Sequence, residues 1–435
     1  MISNDNNKKI HLIYIADDGV ASFYCGVGAM TKNFIFAFPE IADRLASQGI
    51  TAKLSVISIK PTPGAIGKND KLLSDVKKVC QASGGQVALI TSQRQPKDDY
   101  FNFEVWEEYN RQAKKTVKNM LATEDSLTII IAVDTVFAQI YLSHPNLVNV
   151  WIPHSLTQVH EQTYVNGQER VSWEQKAALR IIQDEQSYVG SISPHVSTML
   201  QRLFSFPQAK QLSFHNGFYF PLLKKYEINA TAAKTAAAAR GIDSRHDIIL
   251  SFGRSDEYKG LDLSLQAMIE VTEKYPLQGV LIASRFSDET IVRETQRRLA
   301  KLAVGKESRV KLFLGFEYDL PKQLLCHPKT KFLLHLPTKD FCPLIPHEAE
   351  LIGHDDLCVI NSNIPCLKGK IKDITDGFLC AAAPSAAADK IETIMSLKPS
   401  QKQRVIEKAK QRAAREMNIV DNYLRGLTTI INKHL

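Results

Sequence analysis

No apolar run among these 435 residues approaches the roughly 18 needed to cross a bilayer, and the opening Met-Ile-Ser-Asn-Asp-Asn-Asn has no apolar stretch after a basic one. Neither a membrane span nor a secretory leader is expected, so the chain is read as cytoplasmic. The seven cysteines (Cys25, Cys80, Cys326, Cys342, Cys358, Cys366 and Cys380) are odd in number and lack any Cys-x-x-Cys or Cys/His zinc spacing. Reduced thiols are expected, and no metal site or cofactor. Excess charge is also scarce: a net +8 is mild for this length and spread along the chain. Nucleic acid is therefore a poor partner, while a phosphate-bearing ligand or an anionic membrane face is compatible. No internal repeat of about 20 to 50 residues is present.

What remains is the composition of an ordinary globular protein, 44% hydrophobic and 23% charged, long enough for two domains of about 200 residues each. Lys9 to Ala16 reads as a central parallel strand closed by Asp17-Asp18. Gly26-x-Gly28 follows, then a helical pattern from about Thr31 to Gln48. Two glycines there let backbone approach a ligand, or merely form a turn with positive φ; a dinucleotide fingerprint would need a third glycine and a placed acid. Strands at Leu54 to Ile59, Gln86 to Ile90, Leu127 to Val133 and Asn149 to Pro153 alternate with helices at Ser74 to Ala82 and Glu104 to Leu121. This rhythm predicts a doubly wound α/β sheet. His154 stands directly after one of these strands, where a hydrogen-bonded structural role and a ligand contact are both open.

Composition shifts near 221 to 230, and the alanine-rich Ala230 to Ala239 reads as a short connecting helix. Residues 1–222 and 223–418 are expected to be separate Rossmann-like domains. The second restarts the rhythm with strand Asp247 to Phe252 and helix Leu261 to Lys274. Between them Arg254 and Lys259 lie on a loop bounded by Gly253 and Gly260, where both can converge on one phosphate pair. Further on, strand Phe332 to Leu336 leads into Asp-Phe-Cys-Pro-Leu-Ile-Pro-His-Glu from Asp340 to Glu348, and a helix runs from Ile345 to Ile352. Strand end to helix start is where open α/β sheets bind ligands, and unpaired amides there suit anionic or hydroxyl-rich groups. Two acids at this spacing are also common as surface or capping residues. The basic face of the terminal helical stretch, including Lys402, Arg404 and Lys408, reads as a solvated surface.

The ordered set resembles the retaining GT-B glycosyltransferases of the family that includes glycogen, sucrose and trehalose-phosphate synthases. Gly253-Arg-x4-Lys-Gly260 looks like its diphosphate clamp. Asp340-x7-Glu348 looks like its Glu-x7-Glu motif, with aspartate first. Gly26-x-Gly28, Ser193, Asn216-Gly217 and Asp376-Gly-Phe-Leu379 match in order, so the resemblance covers nearly the whole chain. It implies two Rossmann-like domains facing a cleft, an acceptor-binding first domain, a donor-binding second one, and a terminal helix of about 419–435 crossing back to the first.

The resemblance further implies a nucleotide-diphosphate sugar as donor substrate, an unidentified acceptor, and transfer without metal. Arg254 and Lys259 would neutralise the diphosphate, Glu348 would bind ribose, and Asp340 would hold sugar hydroxyls. The amides of Leu344 and Ile345 would face the sugar or diphosphate, His154 would stand near the reacting sugar, and Gly26 and Gly28 would admit the diphosphate. The chain departs from the family at Cys342-Pro343, in place of Phe-Gly, and at Ala283-Ser-Arg285, in place of a glycine turn. Proline has no amide to offer a phosphate or sugar. Three other readings stand beside transfer: another reaction at the same nucleotide-sugar site, such as coupling through nitrogen or epimerisation; a binding scaffold without catalysis; and a nicotinamide-dependent oxidoreductase.

Overall fold

Lys8–Ala16 (β1) is buried along all but its first two residues, as a mostly apolar run must be when sheet neighbours and helices cover both faces. The structure, a computed structural model, describes residues 8–62, 67–91, 102–121, 126–160, 167–227, 230–243, 245–284, 289–315, 317 and 319–435. Residues 63–66 and 161–166 of the expected acceptor-binding domain, and Arg285, lie outside the described residues. The chain divides into two compact units, Met1–Tyr219 with Asn418–Leu435, and Phe220–Met417.

In the first unit β1 is followed by α1 (Gly26–Ala46), β2 (Ile50–Ile59), α2 (Asp70–Ala82), β3 (Val87–Ile90), α3 (Phe103–Leu121), β4 (Leu127–Val133) and β5 (Leu147–Ile152). Then come α4 (Thr157–His160), α5 (Gly167–Gln183), β6 (Ser187–Ser191), α6 (Pro194–Phe204) and β7 (Gln211–Ser213). The strands pair in parallel in the order β3-β2-β1-β4-β5-β6-β7. Two helices begin earlier than their apolar pattern suggests. The first turn of α1 holds Gly26 and Gly28 themselves, neither with positive φ, so the turn expected there is helix. The cap of α2 is Asn69, whose side chain accepts from the Leu72 amide at 2.9 Å, so the helix starts before the expected Ser74.

The second unit runs α7 (Phe220–Glu227), α8 (Ala230–Ala239), β8 (Asp247–Arg254), α9 (Leu261–Lys274), β9 (Leu277–Ser284), α10 (Glu289–Ala303), β10 (Val310–Phe313) and α11 (Leu320–Leu325). It continues through β11 (Thr330–His335), α12 (Ile345–Ile352), β12 (Cys358–Ser362), β13 (Phe378–Cys380), α13 (Pro384–Ser396) and α14 (Pro399–Glu416). Its parallel order is β10-β9-β8-β11-β12-β13. Both sheets therefore change winding direction at one place, between β1 and β4 in the first and between β8 and β11 in the second. Strand ends flanking such a switch diverge into a crevice, the usual ligand position of this architecture.

The terminal helical pattern is interrupted. Asn418 caps a separate helix, α15 (Ile419–His434), accepting from the Val420 amide at 3.1 Å. This helix packs on α1 within the first unit. Among the described residues no helix is long and apolar enough to cross a membrane.

Candidate active site

Gly260 sets the geometry of the second unit's switch point. It adopts φ +62°, and a Cβ there would lie 1.9 Å from the carbonyl oxygen of Leu336, so only glycine lets the loop after β8 lie against the segment after β11. That contact joins side chains 81 positions apart: Lys259 Nζ is 2.6 Å from Asp340 Oδ2. The other Asp340 oxygen accepts from the Phe341 amide at 2.7 Å, which orients the carboxylate. Thr338 donates its amide to the Tyr258 carbonyl at 2.9 Å, a second tie between the two segments.

Arg254, the last residue of β8, reaches Asp256 Oδ2 at 2.8 Å and also donates to the Tyr258 hydroxyl, which in turn donates to Asp256 at 3.2 Å. Both cations of the loop are thus held by carboxylates and remain partly exposed. Glu348 lies in the first turn of α12 and pairs with Lys322 of α11 at 2.8 Å. Leu344 is the N-cap of α12, so the amides at Leu344 and Ile345 have no acceptor within the helix. Pro346 follows in the first turn, where its missing N–H costs nothing. Beneath α12, His347 Nδ1 lies 3.2 Å from Glu350 Oε2, and Arg412 donates to Glu350 Oε1 at 2.6 Å, all three buried.

The first unit's switch point is acidic. Asp18, buried after β1, accepts from the amides of Gly19 at 2.8 Å and Cys25 at 3.0 Å. Burial, then the neighbouring Asp17, pushes its carboxyl up to about 7. A Cβ on Gly28 would fall 2.2 Å from Asp18 Oδ2, so this glycine is required by the packing of the carboxylate whether or not a ligand comes close. Gly26 is the exposed first residue of α1.

After β4, Asp134 takes φ +62°, a conformation rare outside glycine and concentrated at functional sites. Ser155 donates to Asp134 at 3.4 Å, and Arg170 donates to Ser155 at 2.7 Å. Arg170 also pairs with buried Glu174 at 3.1 Å, and Glu174 accepts the Thr157 amide at 3.1 Å. This network props the turn bearing His154, whose Nε2 is buried without a hydrogen-bond partner. Burial pushes the His154 imidazole down to about 4, against the opposing charge of Asp134, so it is neutral at physiological pH.

Of the residues singled out in the sequence, Lys259 and Asp340 meet directly, with Arg254, Leu344, Ile345 and Glu348 on flanking elements of the same unit. His154, Gly26 and Gly28 belong to the first unit. Sequence reasoning missed Asp134, Arg170, Glu174, Asp256, Tyr258 and Lys322. None has a local signature except Asp134, which could have been noticed as an acid closing an apolar strand. Among the described residues, no cluster of three His, Cys, Asp or Glu side chains is placed to hold a metal ion.

No protein-family model matches the chain, and no curated protein matches it by sequence. Solved structures do. Sucrose-phosphate synthase from Thermosynechococcus elongatus aligns over 98% of this chain and 100% of its own, with a TM-score of 0.69 at 16% identity. HepE of Anabaena, solved in complex with UDP and glucose, aligns over 98% and 99%, with a TM-score of 0.66 at 16% identity. The trehalose 6-phosphate synthase of Burkholderia multivorans aligns over 99% and 100%, with a TM-score of 0.64 at 12% identity. This chain has the GT-B fold. The Lys259–Asp340 contact therefore lies at the switch point of the second GT-B sheet, and the Asp18, Asp134 and His154 groups at the carboxyl edge of the first.

Proposed function

We propose that this GT-B protein is a glycosyltransferase that moves a sugar from a nucleotide-diphosphate donor to a hydroxyl-bearing acceptor, with retention of anomeric configuration. One observation carries the reading: Lys259 and Asp340, from two sequence-distant motifs, meet at 2.6 Å at a sheet switch point. A cation beside an acid there supplies two complementary contacts, the ammonium for the leaving diphosphate and the carboxylate for sugar hydroxyls. HepE was solved with UDP and with UDP-glucose, which makes UDP the first nucleotide to try.

In this reading Arg254 and Lys259 exchange part of their carboxylate contacts for the diphosphate and neutralise the charge that develops on it. Such preorganised stabilisation is worth several kcal/mol in a water-poor site. The amides of Leu344 and Ile345 face the sugar or diphosphate, and Glu348, presented by Lys322, binds the ribose. Gly26 and Gly28 supply first-turn amides of α1, and neutral His154 contacts the reacting sugar. The bond from the anomeric carbon to the diphosphate oxygen breaks and a bond to the acceptor oxygen forms on the same face. The acceptor's proton passes to the departing phosphate.

The test is release of nucleoside diphosphate from UDP-, GDP-, ADP- and dTDP-sugars in the presence of an acceptor panel. Arg254→Ala and Lys259→Ala are each expected to cut turnover by about two orders of magnitude, with the unfolding midpoint little changed. Full activity in both variants would remove the clamp from the mechanism. Donor binding without turnover by the wild type would favour the scaffold reading, to which Pro343, lacking an amide, already lends weight.

A further inference from the structure

Residues 134–141 return from the carboxyl end of β4 along a seam between α3 and α5. Asn110 of α3 donates to the Val136 carbonyl at 2.8 Å, and Gln139 donates to the Trp173 carbonyl of α5 at 2.6 Å. The helices themselves meet at Trp106 and Trp173, whose ring centroids are 5.8 Å apart. Each precedes a strand of one parallel sheet, so both run toward its amino edge. Lys114 comes one turn beyond Asn110, and Arg180 two turns beyond Trp173. Tyr141 comes two positions beyond Gln139, with the Arg180 guanidinium 5.4 Å from its ring centroid. Lys118 follows Lys114 by four positions, on the same side of α3. The next residue after Tyr141, Leu142, donates its amide to Asn149 near the start of β5 at 3.2 Å. The group therefore lies away from the carboxyl edge that carries Asp18, Asp134 and His154.

Three cations share this seam, and among the described residues none of them pairs with a carboxylate. Lys118 and Arg180 stand in the last turns of their helices, where a cation offsets the partial negative charge of the free carbonyls. Lys114 stands nearly two turns inside α3, beyond the reach of that effect. It is also partly buried. Burial first, then the charges of Arg180 and Lys118, holds its ammonium below the ordinary lysine range. A desolvated cation facing two others lowers stability unless an anion joins them.

We propose that Lys114, Lys118 and Arg180 form a second anion site, which binds the phosphate group of a phosphate monoester. The guanidinium offers paired N–H donors to phosphate oxygens, and the two ammoniums add point charges. A monoester carries about −1.5 to −2 at pH 7, a closer match to three cations than a carboxylate. Leu179, just before Arg180, is 59% exposed, so the monoester is met either free in solution or at a lipid surface. This site is separate from the Arg254 and Lys259 loop and does not depend on the proposed transfer.

The test titrates the full chain with glycerol 3-phosphate at constant ionic strength, with sodium chloride as control. A parallel arm sediments the protein with phosphatidic acid vesicles, beside vesicles of phosphatidylcholine. Glycerol 3-phosphate should raise the unfolding midpoint and slow hydrogen exchange in the last turns of α3 and α5. Lys114→Met and Arg180→Met should each weaken binding by about tenfold or more, the size of one hydrogen bond to a charged group. Lys114→Arg should keep most of the affinity, and Lys259→Ala, which removes a cation of the donor loop, should leave it unchanged. Capture by phosphatidic acid alone, lost in the same methionine variants, would assign the phosphate to a lipid headgroup; a response to glycerol 3-phosphate assigns it to a free monoester. Without ligand Lys114→Met should unfold at the same or a higher temperature, because it removes like-charge repulsion. A lower midpoint with phosphate binding intact would give Lys114 a structural role and overturn the proposal. So would a wild type that responds to neither probe, or a response that survives both methionine variants.

Discussion

At the scale of single residues, Gly260 does the most with the least. Its positive φ and its 1.9 Å virtual contact with the Leu336 carbonyl mean that a methyl group would collide with backbone, which cannot rotate away as a side chain can. Gly260→Ala should therefore lower stability by about 1–3 kcal/mol, through the left-handed conformation and the displaced strand end. It should also part Lys259 from Asp340 and abolish turnover. Denaturant titration with an activity assay checks both; an alanine variant of wild-type stability and rate would show that the close approach is dispensable. The sequence reveals Gly260 only as the end of a loop. The Leu336 carbonyl that makes glycine obligatory comes from 76 positions away, a distance no local pattern reports (about 80 for the Lys259–Asp340 pair it creates).

At the scale of elements, α12 is short, and its eight residues have too few intrahelical bonds to hold a helix in isolation. Tertiary contacts hold it. Glu350 joins His347 on its own helix to Arg412 of α14 at 2.6 Å, with side-chain exposures of 2% and 4% for the acid and the guanidinium. Removing one member of a buried pair strands the other, so Glu350→Ala should cost about 3–5 kcal/mol. The loss should loosen the helix whose first turn carries Glu348. Arg412→Met with Glu350→Leu, which removes both charges, should recover most of that loss; equal damage in single and double variants would argue that volume, not charge, is what matters. Paired thermal melts distinguish the two. The limits Ile345 and Ile352 were readable from the apolar pattern, the preceding proline and Gly353. The Glu350–Arg412 tie was not, because Arg412 sits within a stretch that otherwise reads as a basic solvated face.

At the scale of the whole molecule, the last helix completes the first unit. Tyr423 is buried and stacks on Phe34 at 4.6 Å, Phe34 stacks on Tyr14 of the central strand at 4.5 Å, and Gly426 lies against the Phe214 ring. Tyr423→Ala should cost about 3–5 kcal/mol by the cavity it leaves. Hydrogen exchange should show the loss in amides of Met1–Tyr219, with those of Phe220–Met417 unchanged. A uniform rise in exchange across both units would contradict that division.

By itself the sequence determined the alternation of apolar strands with amphipathic helices, and with it two doubly wound sheets. It also marked Arg254, Lys259, Asp340 and Glu348 as strand-end and helix-start residues. These are properties of short windows, because hydrophobic periodicity and the conformational limits of glycine and proline act between near neighbours. Only the tertiary structure decided which of those residues touch: that Lys259 answers Asp340, that Arg254 answers Asp256, and that Glu348 is held by Lys322. Gly28 changes meaning for the same reason, since the carboxylate pressed against it belongs to Asp18, in the loop before its helix. Side-chain pairing depends on strand order and register, which arise when the sheet assembles and which no local stretch of chain specifies.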